Sequence, residues 1–219
     1  MSDQIAFRNW TSRDVEKTFG LERVKQSEIL ARWLASEPEI PQLDWNRAEA
    51  LRRIAEDEID GWNEPALTYF FIAPLVALIN FNEGDYRGFL EQTLTVTKDD
   101  VVARGNVDFM VATGRLTPEA PFYLMHEYKA ERKRALDPQG QLLIAMLAAQ
   151  RENEAAGLTQ PIYGTYVLGR FWFFVVLNGN RYTISRAFDC TLPDGISSIF
   201  KALAQVKRYI ASLFAETQE

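Results

Sequence analysis

The feature that most restricts what this chain can fold into is a change of apolar period near Gln92. Ahead of it, Ile29, Leu30, Trp33 and Leu34 recur at helical spacing, as do Ala48, Leu51, Ile54 and Ala55, with Ser36 to Pro41 breaking the two apart. A third helix is predicted over Glu64 to Leu78, with Pro65 tolerable in its first turn and Pro74 forcing a kink or a break. Beyond it, Gln92 to Val96, Val101 to Ala112 and Pro121 to Lys129 are rich in β-branched and aromatic residues and are separated by turn formers, so they read as strands. Pro138 to Gln150 is apolar on more than one side and predicts a buried helix crossing the sheet. Ile162 to Leu168, Phe171 to Leu177 and Arg181 to Arg186 follow as strands, the last two joined at Asn178-Gly179. Ser197 to Phe214 closes the chain with a helix whose stripe is Ile199, Leu203, Val206, Ile210 and Leu213. The expected class is α/β, a mixed central sheet flanked by helices. Residues 1–60 form a helical N-terminal extension packed on the core of a domain spanning 61–219.

Charge and composition narrow the function. Hydrophobic residues make up 47% and charged residues 25%, which excludes a disordered or fibrous chain. The longest apolar run, Tyr69 to Ile79, falls short of the ~20 residues that cross a bilayer, so no membrane span is expected. The N-terminus carries neither a basic nor an apolar signal region, which sets a cytoplasmic location as the expectation. With one Cys and one His, a Cys/His zinc site is out of reach, and any metal must be held by oxygen. A net charge of −6 argues against coating nucleic acid by bulk electrostatics. It leaves room for a local basic channel at Lys129, Arg132, Lys133 and Arg134, although such runs are usually solvated faces.

Phe122 to Lys129 begins as an apolar strand and ends in charge, as a strand does on leaving a core for a cleft. Period-2 alternation puts Met125, Glu127 and Lys129 on one face, which sets a carboxylate and an ammonium side by side. In the preceding strand, Asp108 is a lone acid among apolar neighbours, costly there unless paired, hydrogen-bonded or ligating a cation. Two carboxylates on adjacent strands can hold a hard divalent cation, and a lysine beside them can orient water or stabilise charge on a phosphate. An ion pair of Lys129 with Asp108 or Glu127 that serves structure alone accounts for the same residues.

Together these segments resemble the PD-(D/E)XK nuclease superfamily. Gly105-Asn106-Val107-Asp108-Phe109-Met110 is similar to its first catalytic strand, with Val107 where the family usually has proline, and Glu127-Tyr128-Lys129 is similar to its E-x-K strand. Asn63-Glu64 followed by Ile72-Ala73-Pro74-Leu75 resembles the helix at the start of type I restriction subunits, and Gln141 resembles the glutamine of the crossover helix. The likeness covers about Asp60 to Asp189. It implies a restriction-endonuclease-like fold and a nuclease that hydrolyses phosphodiester bonds with Mg²⁺, or Mn²⁺ in its place. It further implies that Glu64, Asp108 and Glu127 hold the metal, that Lys129 assists the water or the transition state, and that Gln141 steadies them. Nucleic acid is the implied partner, DNA ahead of RNA, and a homodimer or larger complex is compatible with the family.

The alternative is a catalytically inactive module of the same fold that binds nucleic acid or a protein partner, and the acidic charge favours it. No G-x-x-x-x-G-K-[ST] loop is present, so an ATP-driven step needs a partner. His126 alternates to the face opposite Glu127 and reads as a packed histidine. Phe171, Trp172, Phe173 and Phe174 read as core, and Cys190 as an inert thiol.

Overall fold

The computed structural model describes residues 3–129 and 137–217, with side chains over 4–129 and 137–213. The first sixty residues carry two short strands besides the expected helices. β1 (Asp3–Ala6) pairs in parallel with Val101–Arg104 of β4 (Val101–Thr113), and β2 (Glu22–Arg23) pairs in parallel with β8 (Arg181–Ile184). Strands this short, matched to partners far along the chain, carry no period-2 signal. Between them α1 (Ser12–Phe19) starts at a Thr11/Asp14 capping box and stops at Gly20, whose φ of 75° few other residues adopt. α2 (Glu28–Leu34) is capped by Ser27, and α3 (Gln42–Glu58) follows Pro41.

The helix predicted over Glu64 to Leu78 is continuous but changes gauge. α4 (Glu64–Leu67), capped by Asn63, widens into a π-helical stretch over Thr68–Ile72 before α5 (Ala73–Ile79). Pro74 is the cause: it has no N–H to donate and its ring crowds the carbonyl four residues back, so Ala73 N–H bonds to Thr68 O, five residues earlier.

Among the described residues nine strands make one mixed sheet. β3 (Tyr86–Lys98), longer than the predicted Gln92 to Val96, is antiparallel to β4 along its full length. β5 (Glu119–Lys129) is antiparallel to β4 and parallel to β6 (Ile162–Leu168), the reversal being made by the crossover helix α6 (Pro138–Ala155). β7 (Phe171–Asn178) continues antiparallel to β6 and β8, and also pairs with the short β9 (Phe188–Asp189). The β7–β8 turn is Gly179-Asn180 rather than Asn178-Gly179, because Asn178 pairs with Arg181 and only Gly179 takes a positive φ, 60°. α7 (Pro193–Thr217) starts earlier than predicted, at a proline suited to a first turn.

Two cores lie on the two faces of the sheet. On one, α2, α3, α5 and α7 bury Trp33, Phe71, Leu75, Trp172, Phe174 and Phe200. On the other, α1 and α6 bury Trp10, Met110, Met125, Leu143 and Met146. α6 is fixed at both ends. Asp137 caps it through Gly140 N–H and accepts from the backbone and hydroxyl of Ser12 at 2.8 Å, while Asn153 bonds both N–H and C=O of Phe122 in β5. Among the described residues no helix is long and apolar enough to cross a membrane.

Candidate functional site

One edge of β4 is shared by two partners. β1 takes Val101–Arg104 and β5 takes Phe109–Thr113, which leaves Gly105 to Asp108 between the two ladders. Gly105 lets Phe7 pack there: a Cβ on it would meet Phe7 Cβ at 2.5 Å. At the other end of the gap, Asp108 Oδ2 accepts the backbone N–H of Tyr128 at 2.7 Å. Continuing the register in which Phe109 faces His126 and Met110 faces Met125 sets Asp108 across from Glu127. The charge of Asp108 acts on Glu127 and that of Lys129 on Asp108, so the three groups stand together where the β4–β5 ladder ends.

Lys129 and Glu127, two residues apart on β5, share one face of that strand. Lys129 Nζ donates to Glu127 Oε1 at 2.5 Å and to the carbonyl of Tyr128 at 2.8 Å, and lies 3.6 Å from Glu64 Oε1 at the start of α4. Glu127 is 1% and Lys129 5% exposed, while the Glu64 side chain and Asp108 remain partly open to solvent. Three carboxylates and one ammonium thus converge from α4, β4 and β5. Their charges act strongly on one another at this depth. Burial pushes the Asp108 carboxyl up to about 6 against the pull of Lys129 and the Tyr128 N–H, with Glu91 and Glu64 adding to the rise. Burial likewise raises Glu127, to about 8, with the charge of Asp108 pushing the same way. Burial alone would lower Lys129, but Glu127, Asp108 and Glu64 outweigh it and its ammonium is held above the ordinary lysine range.

Gln141 stands in the first turn of α6, buried, and its Oε1 has no hydrogen-bond partner among the described residues. No hydrogen bond joins it to Asp108, Glu127 or Lys129, so it is the member of the expected set that the structure does not tie to the others. Among the described residues no three His, Cys, Asp or Glu side chains stand together in a metal-holding group. Glu127 Oε1 is engaged by the Lys129 ammonium and Asp108 Oδ2 by the Tyr128 N–H. The donor set still fits a hard divalent cation, since it is all oxygen, carries excess negative charge, and holds two carboxyls that favour a proton when no cation compensates them.

Glu91 belongs to this neighbourhood and escaped the sequence reading. In the β3–β4 ladder Leu90 pairs with Phe109 and Gln92 with Val107, so Glu91 sits opposite Asp108, with a left-handed φ of 50° in mid-strand. Nothing in the local sequence marks it, because its partner is set by register. His126 is fully buried, bonded through Nδ1 to the Tyr128 hydroxyl at 3.0 Å, and burial drops it to about 3. Trp172 and Phe174 are core, and Phe173 stacks on Tyr166. Cys190 is buried, its thiol pushed up to about 12 by burial. Arg132, Lys133 and Arg134 of the expected basic run lie outside the described residues.

No protein-family model matches the chain, and no curated protein matches it.

Proposed function

We propose that the chain is a metal-dependent nuclease of the restriction-endonuclease-like, PD-(D/E)XK type, hydrolysing phosphodiester bonds of nucleic acid, DNA ahead of RNA, in the cytoplasm. The observation that carries the reading is the convergence of Asp108 and Glu127 at the end of the β4–β5 ladder, with the Lys129 ammonium set between Glu127 and Glu64. Mg²⁺ or Mn²⁺, held by Glu64, Asp108 and Glu127, would supply Lewis acidity at the phosphate and a more acidic water. The chain's own groups do the rest. Tyr128 N–H fixes one oxygen of Asp108 and leaves the other to bind. Lys129, anchored by the Tyr128 carbonyl, presents a permanent positive charge to the negative charge that grows on phosphate oxygens in the transition state. Gln141 Oε1 offers an acceptor able to orient a water.

A second reading, an inactive module of the same fold that binds nucleic acid or a protein, draws support from the net charge of −6 and from the Lys129–Glu127 contact, which satisfies both groups without a metal. Incubating the purified protein with single- and double-stranded DNA and RNA in Mg²⁺ or Mn²⁺ separates the two. The nuclease reading expects cleavage that Asp108→Asn abolishes, whereas the module reading expects binding without cleavage.

A further inference from the structure

A cavity of about 300 Å³ opens between α5 and the β3–β4 pair. That is the small end of the ~300–1,000 Å³ range of ligand pockets. Its walls include the rings of Phe81, Phe109 and Tyr128, the first two with centroids 6.0 Å apart. Among the described residues no Asp, Glu, Lys, Arg or His lines it, so the walls they form suit a neutral group rather than a phosphate. Asn80 and Asn82 add hydrogen-bonding capacity of a defined sense. Asn80 Oδ1 accepts Asn82 N–H at 3.3 Å and Asn82 Oδ1 accepts Gly88 N–H at 3.1 Å, so each amide offers a ligand its N–H donors alongside one remaining oxygen lone pair.

Two lining residues also touch the candidate site. The Tyr128 ring lines it while the Tyr128 N–H holds Asp108, and Thr68 lines it while its hydroxyl donates to the carbonyl of Glu64 at 2.9 Å. A flat, neutral heterocycle with carbonyl or ring-nitrogen acceptors, attached to a phosphodiester lying at Glu64 and Lys129, matches these walls.

Resting on the nuclease reading, we propose that this cavity receives a nucleobase of the substrate, so that the substrate class is single-stranded or locally unpaired nucleic acid. A paired base cannot enter, because its faces are stacked and its edge is engaged in the duplex. Aromatic contact of this kind also supplies affinity that a chain of net charge −6 does not gain from bulk phosphate attraction.

The test is binding by fluorescence anisotropy in Ca²⁺, comparing a single-stranded deoxyoligonucleotide, its blunt duplex, and a series of the same strand carrying one abasic position at a time. Wild type should bind the strand at least tenfold tighter than the duplex, and one abasic position should lose about tenfold. Ala77→Trp, which puts an indole into the cavity from the exposed side of α5, should abolish the preference for the strand while melting like wild type. Equal affinity for strand and duplex, an abasic series without a sensitive position, or an unchanged preference in well-folded Ala77→Trp overturns the inference. The abasic series needs no variant and decides the matter if Ala77→Trp does not fold. Cleavage of duplex and strand alike in Mg²⁺ would sink this inference and leave the nuclease reading standing, while absence of both binding and cleavage would sink both.

Discussion

Asp108 Oδ2 accepts the backbone N–H of Tyr128 at 2.7 Å at the point where β4 and β5 stop pairing, so a side chain takes the place of a ladder bond. The substitution fixes one carboxylate oxygen beside Glu127 and Lys129. It also explains why an acid is tolerated in a strand that is otherwise apolar: part of its desolvation is offset by a charge-assisted bond.

Asp108→Asn should therefore fold at least as well as wild type without metal, since its amide oxygen can still accept the Tyr128 N–H while one charge leaves a crowded site. Added Mg²⁺ should raise the melting temperature of wild type by linkage and that of the variant much less. Thermal melts with and without Mg²⁺ check this, and equal shifts in the two proteins would place the ion elsewhere.

The metal-free protein should lose stability as pH rises. Asp108 and Glu127 bind a proton more tightly in the fold, at about 6 and about 8, than in the unfolded chain, near 3.8 and 4.5. Their contribution is fully present below about pH 4 and is lost as pH climbs through 6 and then 8, in steps that belong to the coupled pair. Urea unfolding in EDTA at pH 5 and pH 8 should show a lower midpoint at pH 8, with a smaller drop in Asp108→Asn. A midpoint that rises over this range in wild type and variant alike would contradict it.

Glu91→Asn should stabilise the metal-free protein by about 1 kcal/mol, because asparagine tolerates the left-handed φ of 50° better than glutamate and the change removes a charge that pushes Asp108 up. Urea denaturation measures it. A loss of stability would mean that the Glu91 charge supports the fold.

Gly105→Ala should cost about 1–3 kcal/mol by overpacking, since its Cβ would fall 2.5 Å from Phe7 Cβ and drive β1 away from β4. The same denaturation assay reads this, and an unchanged midpoint would show that Phe7 can move aside without penalty.

The sequence exposed most of the elements because their periods are long enough to read. β4, β5, α6 and β6 to β8 repeat apolar residues over seven or more positions or end in recognisable turns, whereas β1, β2 and β9 have four, two and two residues. Such strands exist through partners that lie far along the chain, and no local pattern encodes them. Within the site the same division holds. Glu127 and Lys129 are related by one strand's alternation and were legible together, and Asp108 stood out as a lone acid among apolar residues. Glu91 depends on a pairing register and was not legible. The π-helical stretch at Thr68–Ile72 was half legible: Pro74 announces a defect, but whether the helix breaks, kinks or widens is decided by what packs around it.

A role for Lys129 at the reacting phosphate is tested most directly by pairing cleavage in Mg²⁺ with binding in Ca²⁺ for wild type and Lys129→Ala, across DNA and RNA substrates and several salt concentrations. The account predicts a fall in kcat of about 10²–10³, the usual cost of losing a group that stabilises transition-state charge, with substrate affinity changed by less than tenfold. Wild type that cuts no DNA or RNA in Mg²⁺ or Mn²⁺, with Lys129→Ala only weakening binding and reducing its salt slope by about one unit, would contradict it and make Lys129 a phosphate contact in a binding module.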